Sequence, residues 1–489
     1  MDTTPLLSAV GLAVALLLPW ALGCAVTFCL LSSNRRWNGA IVAGHGYLLG
    51  ILLITALLRI WDAVGLSFNF WALATIAALV TVACWVAGLR KNVSPQRHAQ
   101  PETRLPLWHL LTVLALLGLI ILRYLLITQE LMLRPLFAWD AWMNWAPKAL
   151  VWFHFNELTP FINLNDWVYT VESQGGYTLG SWRYPPTVPL IQLWGMLGSG
   201  VSDHTTIYLP WLLAPLALSL ALYGHLRLAG TPVIVAVLGC YCLLSIPYLN
   251  VHTALAGYAD IWLFATTGLA AFALHEYSKH KNMGYALLAL IMAAGCTQIK
   301  IPGIVIGSLL LLVFITKAIN PRRRLVLVVL AIAGGTVAVI TLVGVQIHIP
   351  GIGDLTINRQ TISIPHIGSF TLTYHNTLDA FTKNSFKLQN WHLIWYIFIG
   401  VAAVKLVRGE WQSAPSTSLL VILGIFLFVG FVFTFTQIAL SALDYTGLNR
   451  AIMYAVAPTV FYLSHWLGTL GGPARQHSEL GEKEMEFDT

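Results

Sequence analysis

Charge is what this chain has least of. Lys, Arg, Asp and Glu make up 10% of its 489 residues, against about 25% in a soluble globular protein. A mean hydropathy of +0.73 expresses the same scarcity. Soluble enzymes and disordered proteins are excluded, because both need far more polar surface. The sequence pI of about 9.1 raises the question of nucleic acid. Yet the net charge of +7 sits in short loops between apolar runs, a pattern of membrane topology. Nucleic acid is therefore no partner. Cysteine is also scarce: the six present fall in apolar stretches without a CxxC pair and read as small buried thiols. The first apolar stretch lacks a basic leader, so a cleavable signal peptide is not expected. No repeat of 20–50 residues is visible.

Long apolar runs are what the chain has in abundance. A spanning helix needs about 20 apolar residues. Such runs lie at 5–31, 38–60, 68–90, 106–128, 205–223, 232–249, 259–275, 284–298, 301–317, 324–346, 391–408, 417–439 and 451–469. A shorter run at 186–199 either crosses or dips in and returns, giving about thirteen or fourteen segments. The expected fold class is an all-α polytopic membrane protein. Arg35 and Arg36, the 90–104 cluster, Lys279 to Lys281, Pro321 to Arg324, and Lys405 to Arg408 mark cytoplasmic loops. The polar stretches 129–185, 347–390 and 440–450 then share the outer face. Residues 1–100 read as a three-helix extension, 101–470 as the main membrane region, and 471–489 as a short acidic cytoplasmic tail.

With charge so scarce, the outer loops hold the candidates for chemistry. Asp140 follows the fourth apolar run among Trp139, Trp142 and Trp145, and Lys148 comes eight residues later. At helical spacing 140, 144 and 148 share a face. A carboxylate there can accept a proton, and a lysine can hold phosphate. The plainer alternative is an ion pair of Asp140 with Arg134 or Lys148. Arg183 and Tyr184 precede Pro185-Pro186 at the membrane rim, as site residues or as a snorkelling turn. Asp260, in Gly257-Tyr258-Ala259-Asp260, reads as a helix cap or, with His252, as a contributor to a metal site, for which two ligands are too few. Lys300 precedes Pro302-Gly303 at a helix break, where it either snorkels or reaches into a cavity. Arg450 opposes the dipole of a helix start unless an anion accompanies it, Asp444 or a phosphate supplying one.

Trp139-Asp140, Tyr184-Pro185-Pro186, the tract Gly257 to Ile261 and the late Arg450 together resemble the GT-C superfamily of membrane glycosyltransferases. The nearest likeness is to the glycosyltransferase-39 type, and it covers about residues 106–470. The resemblance implies a sugar taken from a polyprenyl-phosphate donor on the outer face of a bacterial inner membrane. It implies a loop aspartate, Asp140, that acts as general base or positions the acceptor, and phosphate contacts from Lys148, Arg183, Tyr184, Lys300 and Arg450. A lipid, glycan or protein would be the acceptor, within membrane lipid. Asp140 is followed by Ala141 and not by the second acid of some branches, so no cofactor is fixed and a divalent metal stays open. Asp166 or Glu172 could supply a further acid. The competing class is a transporter or lipid flippase, which requires charges deep in helices and an inverted repeat.

Overall fold

Apolar helices dominate the architecture, and a few close-packed glycines set how they meet. The computed structural model describes residues 5–33, 36–91, 106–169, 176–202, 205–319, 344–350, 353–365, 368–409 and 416–470. Residues 324–343 of the apolar run expected at 324–346, the basic markers Arg35, Arg97, Arg104 and 321–324, Glu172 and the acidic tail lie outside the described residues. The first four helices are α1 (Pro5–Leu31), α2 (Gly39–Ala63), α3 (Phe70–Lys91) and α4 (Leu107–Leu133). Gly46 and Gly50 of α2 face α1, where an added Cβ on Gly46 would collide with Cys24 and one on Gly50 with Pro19. Small residues four apart permit such close approach within an apolar medium.

After α4 come α5 (Ala146–Phe155), α6 (Leu164–Val168), α7 (Thr187–Ser199), α8 (Leu209–Leu228), α9 (Val233–Leu244) and α10 (Pro247–Ala254). Then follow α11 (Asp260–His280), α12 (Met283–Ile299), α13 (Pro302–Ala318), α14 (Ile394–Val407), α15 (Thr417–Phe435), α16 (Leu448–Met453) and α17 (Val456–Leu470). Among the described residues, six helical stretches are long and apolar enough to cross a membrane, and the pair α9–α10, bent by 58°, is either a broken seventh span or a re-entrant loop. Shorter apolar helices α12, α13 and α14 add to these. The chain is thus a helical, multi-pass membrane protein.

The helices join two polar ends. At one end Asn38 donates to the Gly224 carbonyl, Tyr285 to the Arg36 carbonyl, and Thr417 to Ser278. At the other, Leu158 N–H donates to Asp62, Phe68 N–H to the Asn156 carbonyl, and Tyr248 N–H to the Asn390 carbonyl. Expected cytoplasmic markers Arg36, Lys279 and Lys281 gather at the first end, and segments from 134–169, 176–186, 247–260 and 376–392 at the second. The 186–199 segment starts and ends toward the second end: α7 follows the Tyr184 turn, and its last carbonyl accepts from Ser8 near the start of α1. Thirteen residues give about 20 Å of helix, short of a bilayer core of about 30 Å.

One expectation changes. The 347–390 stretch is not simply a loop: β1 (Val345–Ile349), β2 (Gly353–Ile357), β3 (Thr361–Ile364) and β4 (Gly368–Thr371) form an antiparallel sheet in sequential order. His348 pairs with Asp354 across its first hairpin, and Thr371 N–H donates to Gln437. Alternating β-branched residues at 345–349 and 361–364 favour strands, a signal weaker than the apolar runs around it. The described helices of the expected three-helix extension, 1–100, pack against the main region. Tyr47, Leu48 and Leu49 of α2 join the main core with α8 and α11, while α1, α3 and α7 share a second core beside it.

Candidate functional site

Four chain segments meet at the second polar end. Asp140 opens a widened turn, Ala141–Trp145, in which Ala146 N–H bonds to the Ala141 carbonyl five residues back. Pro147 has no N–H for the α-helical ladder, and such wide turns often mark functional positions. Asn144 Nδ2 donates to Asp140 Oδ1 at 3.3 Å. Gly257 holds φ +96°, and a Cβ there would stand 2.5 Å from that of Ala141. Only glycine fits this close approach, which brings the Tyr258–Asp260 turn against the residue after Asp140.

Arg450, from the first turn of α16, pairs directly with Asp140 Oδ2. Its guanidinium also lies 4.7 Å above the Tyr258 ring and 3.9 Å from Asp260 Oδ2. Asp260, only 1% exposed, accepts at Oδ1 from Lys300 Nζ at 2.8 Å and from the Tyr454 hydroxyl at 2.6 Å. Among the described residues its Oδ2 has no hydrogen-bond partner. Lys300 reaches this carboxylate because it is the extended residue at the end of α12, just before Pro302 starts α13. The result is a chain of four charges, Asp140–Arg450–Asp260–Lys300, with no net charge. Burial pulls the Arg450 pKa down, but the carboxylates of Asp260 and Asp140 outweigh it, so the group is held fully cationic. Tyr184 borders the cluster; burial first, then the charges of Asp140 and Asp260, push its hydroxyl pKa up.

The other expected residues are placed differently. Lys148 is buried, and its ammonium donates to the carbonyls of Ser181, Trp182 and Tyr184 at 3.0–3.1 Å. Those carbonyls take its three protons, so Lys148 clasps the Tyr184 turn and is not open to a phosphate. Burial lowers its pKa to about 8. Arg183 is exposed, its guanidinium 4.8 Å over the Trp182 ring, with no ion pair to the cluster among the described residues. Asp166 lies exposed in the first turn of α6. His252 is buried between the rings of Tyr248 and Tyr258.

The two pairings expected for Asp140 are replaced: Arg134 bonds Glu130 at 2.8 Å, and Lys148 bonds carbonyls. The anion expected beside Arg450 is Asp140 and not Asp444, which instead accepts from Thr446. Tyr454 was not anticipated; its spacing of four from Arg450 was the available signal. Among the described residues, no three His, Cys, Asp or Glu side chains are grouped as a metal site requires. Both clustered carboxylates are engaged by cations, a donor set that does not suit a resident divalent ion.

No family model matches the chain, and no curated protein or solved structure is significantly similar to it.

Proposed function

We propose that this protein is a membrane glycosyltransferase of the GT-C type. It moves a sugar from a polyprenyl-phosphate donor to a lipid, glycan or protein acceptor, with Asp140 as general base. In this reading the chain makes thirteen passes of a cell inner membrane, α7 dips and returns, and the cluster faces the periplasm or exterior. The observation that carries the proposal is the meeting of Asp140, Arg450, Asp260 and Lys300 from four separate segments beside Tyr184. Sugar transfer from a phosphate needs a base on the acceptor hydroxyl, positive charge on the leaving phosphate and little water. Asp140 takes the hydroxyl proton, the acceptor oxygen bonds to the anomeric carbon, and the bond from that carbon to the phosphate oxygen breaks. The leaving polyprenyl phosphate keeps the electron pair, and Arg450 and Lys300 stabilise its charge. A single attacking step with one base inverts the anomeric centre.

The test is Asp140→Asn in purified protein in proteoliposomes, supplied with polyprenyl-phosphate-linked sugars and mixed acceptors. Loss of transfer by about a hundredfold to ten-thousandfold is expected, with the elution profile of folded protein unchanged. Retained transfer by the variant removes Asp140 from the role.

A transporter or flippase is the second reading, and one observation favours it. His45 and His225 are fully buried between α2 and α8, their Nε2 atoms 2.9 Å apart. Buried ionisable groups within a membrane bundle are functional candidates by default. Lipid-linked substrate moved across the vesicle bilayer without sugar transfer would favour this class.

A further inference from the structure

Arg450 is the hinge of the charge cluster, and its present partner is an acid of the protein's own. Its guanidinium carries five N–H donors in a planar fork suited to carboxylate or phosphate. Asp140 occupies one nitrogen, and the Tyr258 ring covers one face. Arg450 and Asp140 each keep 23% of the side chain open, so a ligand can reach both. Asp260, by contrast, is closed in and already holds Lys300 and Tyr454 at hydrogen-bond distance, while its Oδ2 stays 3.9 Å from Arg450. Asp260 therefore acts as the fixed member and the Asp140–Arg450 contact as the exchangeable one. Asp140 has a second anchor that does not depend on Arg450, the Asn144 amide on Oδ1.

We propose that Asp140 is a built-in stand-in for a phosphate group: a phosphate monoester or diester binds Arg450 by displacing Asp140 Oδ2, and the freed carboxylate is thereby readied as a base. The inference deepens the glycosyltransferase reading and rests on it for the identity of the phosphate-bearing ligand. Two anions competing for one guanidinium are negatively coupled, and the coupling is the same seen from either side. With Asp140 charged the four-charge cluster is neutral; without that charge it carries one net positive charge and attracts an anion more strongly. Removing the carboxylate thus strengthens phosphate binding while abolishing the base. That combination is unusual, because loss of an ordinary ligand-contacting residue weakens binding.

The test measures binding of a short-chain polyprenyl monophosphate to the full-length protein in detergent by titration calorimetry, with inorganic phosphate and an anionic phospholipid as parallel probes. Asp140→Asn is expected to bind the polyprenyl phosphate roughly five- to hundredfold more tightly than the wild type. In Asp140→Asn/Arg450→Gln that gain disappears. Equal or weaker binding by Asp140→Asn overturns the proposal, and so does a gain that survives loss of Arg450. A gain for inorganic phosphate of similar size assigns recognition to the phosphate alone; a gain confined to the lipid probes assigns it to phosphate with its chain, and both support the exchange. If Asp140→Asn does not fold, wild-type protein carrying 13C-labelled aspartate supplies the readout. Phosphate binding then shifts an arginine-paired carboxylate band in the infrared difference spectrum, and binding without that shift overturns the proposal. No sugar is present in these measurements. A tighter Asp140→Asn in a protein that transfers no sugar therefore keeps the exchange and discards the transferase reading.

Discussion

Helix α11 carries an acid near each end, and the two acids are treated in opposite ways. Asp260 opens the helix, where the dipole favours a carboxylate, and receives Lys300 and Tyr454 at 2.8 and 2.6 Å. Glu276 lies in the last turns, where the dipole opposes it, and is equally buried. Among the described residues its nearest basic side chains, Arg36 and His280, stand at 3.7 and 3.9 Å, and its Oε2 has no partner at hydrogen-bond distance. The first acid is the fixed centre of a network drawn from α10–α11, α12–α13, α16 and the Asp140 segment. The second is a distant pairing at the opposite end. Burial alone does not single out a candidate site; a buried acid whose cations touch it, with open charges one step beyond, does.

Neutral replacements break the comparison most directly. Asp260→Asn leaves Lys300 and Arg450 facing each other without the charge between them. It is expected to cost about 3 kcal/mol, read as a lowered thermal midpoint of the detergent-solubilised protein. A change as small as that for Glu276 would remove the distinction.

Lys148 sharpens it from the side of a cation held by carbonyls. Lys148→Met strands three carbonyls and is expected to cost about 2 kcal/mol. The pH dependence has a definite sign. The folded lysine releases its proton near pH 8, below the ordinary value of 10.5, so the unfolded chain binds more protons between those limits. Stability contributed by this group therefore rises as pH increases from about 8 to 10.5 and is at its lowest below pH 8. Thermal midpoints of wild type and Lys148→Met measured across that range should converge on one slope only if Lys148 does not titrate there.

The smallest effect is expected for Glu276→Gln, less than about 1 kcal/mol. Dropping the desolvated charge offsets the loss of a 3.7 Å attraction, and Arg36 is 20% exposed to water. A loss of several kcal/mol would make the two acids equivalent.

Much of the helical framework was legible as uninterrupted apolar runs, and Asp140, Asp260, Lys300 and Arg450 each stood out because charge is so rare between them. Their pairing was not legible. Neighbours in sequence, Arg134, Lys148 and Asp444, suggested themselves as partners, yet each is satisfied locally by Glu130, by carbonyls or by Thr446. The Asp140–Arg450 contact spans 310 positions, and no periodicity reports on such a separation. The sheet at 345–371 escaped for a different reason: short strands alternate weakly and lie in a stretch whose polar content reads as loop.

By itself, then, the sequence determined that this is a multi-pass helical membrane protein with very few charges placed outside its apolar runs. Hydrophobic length and charge scarcity are local quantities, and they survive any rearrangement of the helices. Only the tertiary structure decided which charges meet, that Lys148 is a clasp and not a ligand, and that Arg450 stands between two acids. Those outcomes depend on distances between segments far apart in the chain, set by glycine contacts such as Gly257 against Ala141 and by the break between α12 and α13 that turns Lys300 inward.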